Sequence, residues 1–277
     1  MKILFRNFTG LLSVGVFKTD NTIEPMSVFK WAKLMLMARV HDVEYYICLG
    51  IAGAVETGCD TIPQKTYSAA KAFVDVNNIY APEAAGGYNF SSSRKVKMFS
   101  SVFLNRKYNK IIFNEIHSID TSISSLVFLN KLAVCISTIM DYGIDFKILA
   151  DLGLYLRQSG DKIDYVKTES WIKALNIRNI TELIGECLII LFHFESAELP
   201  FIKNITNKYS KKVCRDLVAT LNDTSSARKR NKIKKSNAIN PINKPDTHPA
   251  KYLTIQPVEA SSRLIANTVK SLSNIDE

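Results

Sequence analysis

Between residues 96 and 201 the apolar residues recur at helical spacing, and each change of phase falls on a capping residue or a glycine. That punctuation constrains the fold more than any other feature of the chain. Val96, Phe99, Val102, Phe103, Tyr108, Ile111, Ile112 and Ile116 can share one helical stripe, and residues 117–122 break it. Asp120, Thr121 or Ser122 can cap the helix expected over 124–140, which Gly143 ends. Asp145 then caps a helix to Arg157, stopped by Gly160, and Asp164 caps one over 165–175. Thr181 lies near the start of another through Phe192.

The remainder is read by the same rules. Pro25 precedes the run Met26, Phe29, Trp31, Leu34, Leu36, Met37 and Val40, and a second helix follows near 44–55, giving a helical hairpin. Gly58, Pro63, Pro82, Gly86 and Gly87 punctuate residues 58–94, which read as a long connection with one short helix at 68–76. A helix near 207–221 leads into a stretch broken by Pro241, Pro245 and Pro249. From Pro257 a last helix lines up Val258, Ser262, Ile265, Val269 and Leu272 as a stripe to dock on the body. No segment alternates with a period of two, so a large sheet is not expected. The expected fold is mainly α: a multi-helix bundle with a long Gly/Pro-punctuated connection and a basic loop before a C-terminal helix. Its parts are an N-terminal helical segment (1–57), the connection (58–95), a helical core (96–222), the basic loop (223–256) and the C-terminal helix (257–277).

Apolar residues make up 47% of the 277, enough for a sizeable core. The five cysteines are scattered, without a CxxC pair, so neither a zinc site nor a disulfide framework is expected and a reducing cytoplasm fits. Lys2, Arg6 and the run at 11–17 have a weak signal-like look, but the polar break at 7–10 argues against export. No apolar run is expected to reach the roughly 20 residues of a spanning helix. The net charge of +10 is largely local: Arg228, Lys229, Arg230, Lys232, Lys234 and Lys235 lie in one run of eight. No aromatic interleaves with them to stack bases. A solvated loop is therefore favoured over a nucleic-acid or anion site.

Two polar groupings qualify as candidate sites. Glu115, His117 and Asp120 could form a base–carboxylate set; of a second group, Asp151, Arg157, Asp161 and Asp164, only Asp161 and Asp164 flank a turn and could in principle hold a metal. Caps and turns explain these residue types more simply, so both are read as structural. Asp151 and Arg157, six apart, fall on different helix faces and are not expected to pair. The four histidines show no ligand spacing, and no nucleophile elbow, phosphate loop or dinucleotide fingerprint occurs.

Four segments together carry a resemblance: NEIHSIDTS, LGLYLRQSGDKIDYVKTESWIKAL, FESAELPF and YLTIQPVEASSRLIANTVKSLSNIDE, with WAKLMLMARVHDVEYYICLGI near the N-terminus. The combination resembles the helical portions of an uncharacterised nucleotidyltransferase-like family of Bacteroidetes, over residues 1–57 and about 96–277. The resemblance implies a catalytic palm between the two helical parts, with a glycine turn before a strand bearing Asp-x-Asp. On a strand, residues i and i+2 share a face, so two carboxylates converge on Mg²⁺.

The chain departs from that pattern. It has no Asp-x-Asp, and its one internal acid-x-acid triplet, Asp42-Val43-Glu44, lies at a helix start, where i and i+2 diverge by about 200°. Gly86-Gly87 is followed by no acid pair. Residues 58–94 also offer little room for a sheet that needs roughly 30 residues per βαβ unit. The expectation is a non-catalytic helical scaffold or interaction protein with a protein partner and neither cofactor nor metal. The alternatives are a divergent nucleotidyltransferase, alone or completed by a partner, using Mg and a nucleotide, and a polyanion-binding protein using the basic loop.

Overall fold

A computed structural model of the chain describes residues 3–77, 97–202 and 248–273, with Lys212, Val213, Arg215, Asp216 and Ala219. The architecture is mainly α, and no strand occurs among the described residues. The helices are α1 (Ile3–Phe17), α2 (Val28–Val40), α3 (Glu44–Glu56), α4 (Gln64–Asn77), α5 (Val102–Ile116), α6 (Ile123–Tyr142), α7 (Phe146–Ser159), α8 (Tyr165–Ala174), α9 (Arg178–Phe192) and α10 (Pro257–Ser273).

The capping residues act as their chemistry dictates. Ser101 starts α5, and its hydroxyl accepts from the Leu104 amide. Ser122 does the same for α6 through Ser125 N–H. The Asp145 carboxylate accepts from the amides of Lys147 and Ile148, and Asp164 from that of Lys167. Each satisfies first-turn donors that the helix itself leaves unpaired. Gly143 closes α6 at a φ of 84°, a backbone setting that suits glycine.

The packing centres on α1 and α3. Phe8, Leu11 and Leu12 of α1 are fully buried, as are Ile47 and Ile51 of α3. The two backbones approach closely because both carry glycine at the crossing. A Cβ placed on Gly15 would overlap the Tyr46 carbonyl oxygen and lie 2.8 Å from Gly50 N. One placed on Gly50 would overlap the Leu11 carbonyl. The polar residues of α1 are absorbed locally. Asn7 donates to Glu24 O and accepts from Glu24 N, so the irregular segment 18–27 is fastened to the helix. Thr61 Oγ1 donates to Ile23 O and fixes the other side of that segment.

α6 forms the second centre, packed by α7, α8, α9 and α5. Its length and hydropathy would let it cross a bilayer, contrary to the expectation from sequence, but two-thirds of its most apolar stretch is buried inside the bundle. Asn130 on this helix accepts the buried Tyr108 hydroxyl at 2.8 Å. Arg157 joins the two centres: its guanidinium stacks on Phe17 (4.5 Å) and Phe194 (4.3 Å) and pairs with Glu198 at 3.0 Å.

Several expectations are corrected. The helix in the connection is longer than 68–76: it runs from Gln64 to Asn77, starts after Pro63, and packs on α3. The run in α2 divides between two faces, with Trp31, Leu34, Met37 and Val40 buried while Phe29 is 78% exposed. In α5 the buried set is Leu104, Tyr108, Ile112 and Glu115, while Val102 and Phe103 face outward.

The stripe on α10 is reversed: Val258, Ile265 and Val269 are exposed, and Glu259, Ala260 and Arg263 are buried. Hydrogen bonding sets this orientation. Glu259 accepts from the amides of Ser100 (2.7 Å) and Ser101 (3.0 Å). Arg263 bonds Glu259 (2.7 Å), Ser137 Oγ (2.9 Å) and Asp141 on α6. Residues 203–211 and 220–247, which include most of the basic loop and much of the helix expected near 207–221, lie outside the described residues, as do residues 78–96, while the end of the expected loop forms a 3₁₀ turn (His248–Tyr252).

Two stability predictions follow from these contacts. Gly15→Ala forces α1 from α3 and is expected to cost about 3 kcal/mol or more. Gly10→Ala on the same helix meets only ordinary contacts, from 3.5 Å, and is expected to be neutral or to stabilise by about 0.5–1 kcal/mol. Urea unfolding of the two variants checks the contrast. Arg263→Met leaves Glu259 buried without its cation and is expected to cost about 3–5 kcal/mol in the same assay.

Candidate functional site

A groove of about 340 Å³ opens between α2 and α4, with α3 as its floor. It exists because the facing walls carry alanines: Ala32 on α2, and Ala69 and Ala70 on α4. Larger side chains enclose the space, namely Trp31 and Met35 from one wall and Phe73 from the other. Cys48 lies at the floor, and burial together with the nearby Glu44 carboxylate pushes its thiol up to about 12. It is protonated near neutral pH and behaves as a small apolar group. The Trp31 side chain is buried, and its indole N–H meets no acceptor among the described residues.

One end of the groove is polar. Arg39 donates to Glu44 at 2.6 Å, and this pair also borders a second cavity of about 280 Å³. Asp42, Tyr46, Asn77 and Lys147 line that cavity, where Lys147 pairs with Asp42 at 3.0 Å. The Tyr46 hydroxyl donates to Asp151 Oδ1 at 3.1 Å. The Asp42-Val43-Glu44 triplet therefore holds two separate cations, with Asp42 turned into the left-handed region at φ 58°. Lys65, on the rim of the groove, has no acidic partner among the described residues.

The polar residues singled out from sequence fall elsewhere, in several places. Glu115 is buried, accepts from Ser122 N at 2.8 Å and pairs with Lys167 at 3.0 Å. Asp120 reaches the same ammonium at 3.1 Å, and Asp164 caps the helix that carries it. Lys167 thus fastens the α5–α6 turn to α8. His117 lies over Phe113, with ring centroids 4.3 Å apart, and its Nδ1 is 2.7 Å from the Phe113 carbonyl. Asp161 is an exposed member of the 3₁₀ turn Gly160–Lys162. Asp151 stands apart on α7, bonded to Tyr46 of α3. Among the described residues no three histidine, cysteine, aspartate or glutamate side chains gather as a metal site would require. Arg228, Lys229, Arg230, Lys232, Lys234 and Lys235 lie outside the described residues.

The groove residues Trp31, Arg39, Cys48, Lys65 and Phe73 are absent from the candidates drawn from sequence. A signal was present in the alanines Ala69 and Ala70, whose small side chains leave space against a neighbouring helix, but it requires knowing that α4 faces α2. Comparison of the chain with protein-family models, curated proteins and solved structures returns no match.

Burial holds the Asp151 carboxyl above the usual carboxylate range, an effect partly offset by the Tyr46 hydroxyl, Lys131 and Lys147, with Asp145 acting alongside burial. A carboxyl raised in the folded state contributes stability that is present at low pH and lost as pH rises through its folded pKa. Asp151→Asn retains an acceptor for Tyr46 and removes that loss. Its stability relative to the natural chain is expected to rise as pH rises above the ordinary carboxylate range of about pH 4, in urea unfolding.

Proposed function

We propose that this protein is a non-catalytic helical binding protein and that the groove between α2, α3 and α4 is its binding site. The observation that carries this reading is the groove itself. Its volume falls within the roughly 300–1,000 Å³ of small-molecule sites, its lining is mostly apolar, and its polar groups are few. Kinship with the helical portions of the nucleotidyltransferase-like family belongs to the same proposal, as does a cytoplasmic setting. The buried free thiols of Cys48, Cys135 and Cys187 suit a reducing compartment. The described acids support a structural role, since Glu115, Asp120, Asp145, Asp151 and Asp164 each serve a cap, an ion pair or a tyrosine.

A neutral solvatochromic dye such as Nile red tests the reading. It is expected to bind saturably, and Ala32→Phe with Ala69→Phe, which fills the groove from both walls, is expected to reduce its affinity at least about tenfold. Both alanines are exposed, so the fold should be retained, as circular dichroism would show. Undiminished dye binding in the filled variant would overturn the assignment of the groove. Saturable, metal-dependent binding of Mg-ATP by the full chain would overturn the non-catalytic reading.

A further inference from the structure

The geometry points to a single-chain amphiphile with an anionic head as the groove's ligand, its alkyl chain between α2 and α4 and its head at Lys65. This rests on the groove being the binding site. Size decides against a docked helix. A helix with side chains is roughly 10 Å across, too thick for a cleft of about 340 Å³ between two helices, whereas an alkyl chain is thin enough. The lining decides against a polar solute, because Trp31, Met35, Cys48 and Phe73 offer it little to bond.

Charge selects the head. The other cations that line the groove and the adjoining cavity, Arg39 and Lys147, are already paired with Glu44 and Asp42. Lys65 lacks an acidic partner among the described residues and stands at the groove's rim. A carboxylate is drawn to that mouth and an ammonium repelled from it. Trp31 lines the groove, so its indole reports on a chain bound there.

The test uses the full chain carrying Trp171→Phe, which leaves Trp31 as the sole indole of the two. Straight-chain alkyl carboxylates, n-alkanols and alkyltrimethylammonium ions of matched length are titrated below their micelle concentrations while Trp31 fluorescence is followed. Carboxylates are expected to saturate the signal, with the dissociation constant falling about fourfold for each added methylene until the groove is full. Lys65→Gln is expected to weaken the carboxylate about three- to fivefold and to leave the alkanol unchanged.

If carboxylate, alkanol and ammonium bind alike and Lys65→Gln changes nothing, the anionic class is overturned. The groove assignment survives that result provided the Ala32→Phe, Ala69→Phe variant still loses the alkanol. If no alkyl ligand perturbs Trp31, or if binding persists in the filled variant, the groove assignment and the ligand class fall together.

Discussion

The close crossing of α1 on α3 is the contact on which the rest of the structure depends. Glycine at positions 15 and 50 lets the two backbones approach until a single methyl group would not fit between them. That approach buries Phe8, Leu11, Leu12, Ile47 and Ile51 together, and fully burying each such side chain contributes about 1.5–3 kcal/mol. α3 is thereby held as a rigid floor. α2 joins it through a short turn and α4 packs against it, so the groove between them depends on how α3 is seated.

The two halves of the molecule use polar chemistry differently. In the second half, buried charges fix orientation: Glu259 and Arg263 set which face of α10 meets α6, and Lys167 ties α8 to the turn before α6. In the first half, ion pairs rim a cavity. Arg39–Glu44 and Lys147–Asp42 are partly exposed and contribute little stability, which leaves them available to shape a binding surface.

Much of the helical plan was legible in the chain because caps and glycines are local signals. Asp145, Asp164, Ser122 and Gly143 mark boundaries through hydrogen bonds and backbone angles that need no distant partner. The capping role of Asp164 was legible for the same reason. Facing was not legible. The stripe Val258, Ile265 and Val269 has helical spacing, yet α10 is seated by Glu259 and Arg263, whose partners lie more than a hundred residues away. The groove was hidden likewise: Ala32 and Ala69 become meaningful only when α2 and α4 are known to face each other across Cys48.

In the proposed role, the closely crossed α1–α3 pair presents α2 and α4 as the walls of an alkyl-binding groove. Amide hydrogen exchange of the full chain, with and without saturating n-dodecanoate, tests it most directly. Slowed exchange is expected, confined to α2, α4 and the facing surface of α3, with α1 slow in both states. Protection absent from α2 and α4, or centred instead on α8 and α9, would contradict it.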